Sequence, residues 1–193
     1  MTTAEALFIA LMKYHSQTLD ADPTHEARVH MIADAIDDVC EKHPIKGWPK
    51  VGCVSMVATA AKWESGFLKS IHEGKRGPSG EICLMQLHRT VTNIPKAEFA
   101  ITRQEWENSA GADPEHTHLC VELGLRVIAW HVTRCKLRFE GGGYSPVMFM
   151  FAEYHHPSTQ CYSTVHRGPA DPPHRAMSYQ LLLNHLRYDR VSP

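Results

Sequence analysis

Apolar residues recur at helical spacing over most of this chain. Leu7, Phe8, Leu11 and Met12 fall on one face of a helix predicted over about residues 3–18, and Thr2 with Glu5 is spaced as a capping box at its start. Met31, Ile32, Ala35, Ile36, Val39 and Cys40 mark a second helix, which Asp22-Pro23 opens and His43-Pro44 ends. From Val51 to Trp63 the pattern changes. Val54, Val57, Ala58, Ala60 and Ala61 leave few polar positions on any face, which predicts a buried central helix rather than a surface one. Gly66 stands where a left-handed residue would end it.

Helical periodicity is lost between Phe67 and Cys83, where Gly74, Gly77, Pro78 and Gly80 predict a small hairpin or an extended loop. It returns as a short helix over Leu84 to Val91 and a brief one that the capping box Thr102…Glu105 opens. Asp113-Pro114 then opens a long helix to about Phe139, with Leu119, Leu123, Val127, Ile128 and Trp130 on its apolar side. Gly141-Gly142-Gly143 breaks it. A helix over Val147 to Tyr154, a polar proline-rich stretch to Pro173 and a last helix over His174 to Tyr188 follow. The pattern predicts a mainly α, single-domain protein with one small irregular or β insertion at about residues 67–83. Residues 1–45 form an N-terminal helical extension. No internal repeat or linker divides the chain.

Composition narrows the class. The chain has 193 residues, 43% of them hydrophobic, enough for one substantial core. A formal net charge of −1 gives no global pull toward nucleic acid or a membrane surface. No run approaches the roughly 20 apolar residues of a membrane span. The N-terminus lacks a basic stretch before its apolar run, so no Sec-type leader is expected and synthesis in the cytoplasm is. None of the six cysteines forms a CxxC pair, which removes the zinc-ribbon and thioredoxin readings. An even count allows three disulfides, but the missing leader points to buried thiols. His116, His118 and Cys120 do not share one helix face, and His155-His156 with Cys161 is no stronger, so no metal site is expected.

The candidate chemistry sits where the central helix ends. Glu64 lies between Trp63 and Phe67. Aromatic surfaces and the negative end of a helix dipole both favour the protonated carboxyl, which suits a general acid. The ordinary alternative is a solvated glutamate. Glu73, Glu81 and Glu153 are possible second carboxylates, with Glu81 nearest in the motif and a solvated loop charge as its ordinary reading. In a glycosidase, separations of about 5–5.5 Å and about 6.5–9.5 Å distinguish retaining from inverting pairs.

Glu64-Ser65-Gly66-Phe67, followed after a polar loop by Gly80-Glu81-Ile82-Cys83-Leu84-Met85-Gln86, resembles the two leading motifs of the lytic transglycosylase (SLT) domain, a relative of goose-type lysozyme. Asp113-Pro114-Glu115, with Gly124 further along the same helix, and Phe151-Ala152-Glu153-Tyr154-His155 are similar in order to that family's later motifs. The resemblance covers about residues 50–188. It implies a lysozyme-like fold and cleavage of the β-1,4 bond between N-acetylmuramic acid and N-acetylglucosamine. Glu64 would be the acid and then the base. Ser65 would orient Glu64 or contact sugar, Met85 and Gln86 would line the glycan groove, and the Tyr154 hydroxyl would face Glu64 or the N-acetyl group. Peptidoglycan glycan strands are the implied partner of a monomer that needs no metal or organic cofactor. A wall-degrading fold without a leader fits a phage product, released as an endolysin or carried on a virion, with a secretion-system effector next. Two positions depart from the family: Cys83 replaces a glycine and His155 an asparagine. They leave a non-catalytic glycan-binding or structural module as the competing expectation.

Overall fold

The computed structural model describes residues 1–15, 22–134, 179–184 and 186, and in them the regular elements are helices. They are α1 (Thr3–His15), α2 (His25–Lys42), α3 (Lys50–Ser65), α4 (Lys69–His72), 3-10 turns over Arg89–Asn93 and Ala97–Phe99, α5 (Arg103–Asn108) and α6 (Pro114–Arg134). Residues 179–184 and 186 are also helical. The predicted helix over Val147–Tyr154, the proline-rich stretch, and Tyr154, His155, His156 and Cys161 lie outside the described residues.

Local signals set most of the boundaries. The Glu5 amide donates to Thr2 Oγ1 and the Thr2 amide to the Glu5 carboxylate, a reciprocal cap that starts α1. The same box opens α5 at Thr102 and Glu105. The His116 amide donates to Asp113 Oδ1 at 3.0 Å and caps α6. One boundary differs from the sequence reading: α2 starts at His25 rather than directly after Asp22-Pro23. The Asp22 carboxylate accepts from the amide and hydroxyl of Thr24, which turns the chain once more before the helix begins.

Packing places α3 in the middle. Residues 52–61 of α3 are all buried, as its composition predicts. Helix α2 packs against α1, α3 and α6, and α6 also meets α3. Val54, Met56, Val57 and Ala58 have no exposed surface. Burying a side chain the size of Val or Met contributes about 1.5–3 kcal/mol, so this helix is held by its surroundings rather than by its own propensity. No described helix is long and apolar enough to cross a membrane.

Two expectations are corrected. Cys40–Cys53 and Cys83–Cys120 are disulfides, not thiols, with Cα separations of 5.9 and 6.1 Å. Each joins separate elements that the core packing brings together: the end of α2 to the start of α3, and the loop before residue 84 to α6. The helix predicted over Leu84–Val91 does not form. Cys83 and Gln86 take φ of 58° and 48°, left-handed values that no right-handed helix contains, and a single bridge between Ile82 and Leu87 closes a tight turn around them. The 67–83 insertion is accordingly irregular, with the four-residue α4 its only helix.

Two buried histidines make stability depend on pH. His72 is 1% exposed, its Nε2 lies 2.7 Å from Thr117 Oγ1, and burial, with the nearby Arg28 charge, holds its pKa down to about 4 from 6.5. His131 is lowered to about 4 by burial and then by Arg134. A depressed pKa means the unfolded chain binds the proton more tightly. The stabilisation is therefore whole above about pH 6.5 and is lost as pH falls toward 4, on the order of 2–3 kcal/mol for each residue. Urea midpoints between pH 7.5 and 4 should fall steeply for the wild type and less steeply for His72→Asn, and parallel slopes would contradict this assignment. Chain-entropy arguments give about 4 kcal/mol for the bridge spanning 37 residues and about 3 kcal/mol for the one spanning 13. Urea unfolding of the two Cys→Ser pairs measures both, and wild-type stability in either pair would remove that bridge from the account.

Candidate active site

The site begins at the exit of α3. Glu64 is half-buried on the last turn, while Ser65 is 3% exposed. The Ser65 hydroxyl donates to the Ala61 carbonyl at 2.7 Å and accepts from the Phe67 amide at 3.1 Å. Ser65 thus ties down the turn that follows Glu64, and it does not line the cleft described below. Gly66 ends the helix at φ 57°, and Phe67 follows at φ 56°. A non-glycine residue in that region costs about 1–2 kcal/mol. Phe67 is kept there by its buried side chain and by Arg28, whose Nη1 donates to the Phe67 carbonyl at 2.8 Å. Arg28 is itself paired with Asp22 at 3.0 Å. The chain therefore leaves α3 in a fixed direction.

A second tight turn returns to the same place. Ile82 and Leu87 exchange backbone hydrogen bonds of 3.2 and 2.9 Å, and the Gln86 amide donates to the Cys83 carbonyl at 2.9 Å. Three anchors hold this turn despite its left-handed residues. Cys83 is bonded to Cys120 of α6. Met85 has no exposed surface and packs on Gly124, where a Cβ would stand 2.6 Å from the methionine methyl. The Trp106 indole donates to the Leu87 carbonyl at 2.8 Å. Met85 is thus a core residue rather than the expected groove contact, and Gly124 is the helix position that admits it.

Among the described residues, a cleft of about 690 Å³ opens between these two turns and α6. Glu64, Glu81 and Gln86 all line it. Gln86 Nε2 donates to the Cys83 carbonyl at 3.0 Å, which fixes the amide. Glu81 Oε2 accepts from the Ser79 amide at 2.9 Å. Tyr154 lies outside the described residues. Helix α6 contributes Val127, Trp130, His131 and Arg134, and Leu87, Val91, Ile94 and Pro95 form an apolar wall. The sequence reading missed His131 and Arg134 as cleft residues. Their spacing from Val127 and Trp130 places all four on one helix face, a signal that was legible once Val127 and Trp130 were recognised.

The arrangement combines the Glu64 and Glu81 carboxyls, a fixed amide, the neutral His131 imidazole and an arginine with an indole and aliphatic surface. Flat apolar surface with polar groups at its edges suits a ligand that has apolar faces and a hydroxylated rim, such as a sugar ring. The histidines and cysteine at the start of α6 go to separate partners: His116 pairs with Asp113, His118 with Asp38, and Cys120 is in a disulfide.

Gly77 couples the loop to the cleft. A Cβ there would lie 2.4 Å from Glu81 Oε2 and 2.7 Å from Gln86 Oε1. Both are the ends of flexible side chains. Gly77→Ala should therefore change stability by no more than about 1 kcal/mol while displacing Glu81 and Gln86, as a crystal structure of the variant would show. Unmoved side chains, or a large loss of stability, would contradict this packing. Compared with protein-family models, with curated proteins and with solved structures, the chain matches none.

Proposed function

We propose that the protein cleaves the β-1,4 bond between N-acetylmuramic acid and N-acetylglucosamine in peptidoglycan, as a lytic transglycosylase or a muramidase. The observation that carries this reading is the meeting of Glu64 and Gln86 in one cleft. They are the polar residues of the two motifs that resemble the SLT domain, and separate turns deliver them to the same place. The Cys83 backbone adds weight. The family's glycine position is held here at φ 58°, a conformation glycine adopts without strain. The departure is therefore one of side chain and not of turn geometry. Two disulfides also suit an oxidising compartment outside the cytoplasm, where the wall lies.

In this reading the Glu64 carboxyl gives its proton to the glycosidic oxygen as the bond from the muramyl C1 breaks. The N-acetyl carbonyl stabilises the positive charge that develops at C1, so a second carboxylate is not required. Glu64, now a carboxylate, takes the proton of the muramyl C6 hydroxyl as its oxygen bonds to C1, which leaves a 1,6-anhydro end. If water takes the place of that hydroxyl, a reducing end forms instead. Glu81 and the Gln86 amide serve binding at the cleft wall, and Ser65 positions Glu64 through the turn it holds. The chemistry needs no cofactor.

Mass spectrometry of purified peptidoglycan after digestion tests the reading directly. Anhydro ends identify a lyase and reducing ends a hydrolase. Glu64→Gln should lower turnover by about 10²–10⁴-fold while leaving binding to the wall intact. A wild-type protein that binds glycan and yields neither product would sink the enzyme reading in favour of a binding module.

A further inference from the structure

Beside the Glu64 cleft lies a second pocket of about 460 Å³, and the two share Ser79, His88, Thr90 and Asn93 along their common edge. Its lining includes Arg76 and Arg89 and contains no aspartate or glutamate. Neither guanidinium has a carboxylate partner among the described residues. Other basic residues are committed: Arg28 to Asp22, Arg103 to Glu107, Arg126 to Glu105 and Glu122, Lys96 to Glu98.

Arg76 is also held in place. Its guanidinium carbon lies 5.5 Å from the centroid of the Trp106 ring. Trp106 is 4% exposed, and its indole N–H is fixed on the Leu87 carbonyl. The cation therefore rests on a rigid aromatic platform, and less rotamer freedom is lost when it binds. Arg89 begins the 3-10 turn on the other side of the pocket, and the side chains of Ser79, Thr90 and Asn93 add uncharged hydrogen-bonding groups. Two like charges lining one pocket without a counter-charge are relieved by an anionic ligand. A planar guanidinium matches a carboxylate with two parallel hydrogen bonds.

The ligand must be continuous with whatever fills the adjoining cleft. On a glycan strand the hydroxyl and N-acetyl groups are neutral, and the anionic substituents are the carboxylates of the peptide stem on the muramyl lactyl group. We propose that the Arg76–Arg89 pocket binds a carboxylate of that stem, so that the enzyme selects peptide-bearing strands and sets their register against Glu64. This assignment rests on the wall-cleaving reading of the cleft.

Two measurements on the full chain separate the two ideas. First, free stem peptide, prepared by amidase digestion of peptidoglycan, is titrated into labelled protein and the arginine Nε resonances are followed by NMR. Saturable shifts at Arg76 and Arg89 are expected, with an affinity weakened several-fold by 0.5 M salt; in the Arg76→Gln, Arg89→Gln protein, which lacks those resonances, the affinity read from the backbone amides of Ser79, Thr90 and Asn93 should fall about tenfold. Second, the rate on stem-bearing strands is divided by the rate on amidase-stripped strands whose freed lactyl carboxylates have been capped as amides. That ratio should exceed one in the wild type and fall about tenfold in the double variant. Absence of arginine shifts, or a ratio the double variant does not change, overturns the proposal. Displacement of the stem peptide by an equal concentration of inorganic phosphate would show a general anion site and overturn it as well. If neither strand is cleaved, the wall-cleaving reading fails, and the titration alone still decides whether this pocket takes the stem.

Discussion

A helix with no polar side can sit only at the centre of a fold, and α3 is such a helix. Every residue from 52 to 61 is buried, so water is reached only at its ends. At one end the Cys40–Cys53 bridge fastens it to α2. At the other, the first polar residues that can emerge are Lys62 and Glu64. The position of the candidate acid is thus a consequence of core packing. Moving Glu64 one turn back would bury a carboxylate among Val57, Ala60 and Ala61, and burying a charge without a partner is among the costliest changes a core can take. One turn forward would place it beyond Gly66, where the helix no longer holds it.

The returning turn shows the complementary constraint. Cys83 and Gln86 occupy left-handed conformations that disfavour their side chains, so this turn does not stand by its own propensity. It persists because Cys83, Met85 and Leu87 are each tied to α5 or α6 by a covalent bond, a close packing contact or a hydrogen bond. A turn held from three sides sets where the half-exposed Gln86 side chain leaves the backbone. Gly124 is the quiet partner here. Its missing side chain is what admits Met85 to α6, and its role was invisible in the helical periodicity, where it reads only as a weak helix former.

Those two constraints explain which parts of the fold were legible from the residues alone. Helix α3, its glycine stop, both capping boxes and the long α6 follow from local patterns, because each depends on neighbours within a turn or two. The cysteine pairing did not, since Cys83 and Cys120 are 37 residues apart and only tertiary packing brings them together. The false helix over Leu84–Val91 has the same origin. Its apolar residues have helical spacing, but Leu84 and Met85 are apolar in order to anchor a turn. Met85 was mistaken for a groove residue for that reason as well: a motif marks which residues travel together, and it does not say which of them face the ligand. His131 and Arg134 belong to the opposite wall of the cleft, which the motif does not mark.

Charge gives the clearest case of what a whole-chain number conceals. A net charge of −1 excludes a global field, and nothing in the structure disputes that. Along the groove, however, Glu64 and Glu81 line one part, and Arg76 and Arg89 line a neighbouring part that contains no carboxylate. Near-neutral totals are compatible with such separation because most surface charges cancel locally, as in the Lys50 pairs with Asp37 and Glu41. The Arg76 and Arg89 charges, which have no carboxylate partner among the described residues, are the part available for recognition. At physiological salt its reach is about 8 Å, shorter than the protein but comparable to one sugar unit with its substituent. A field of that range does not steer a polymer from a distance. In the proposed reading it would act on the segment already in the groove, where it would distinguish one orientation of the strand from another.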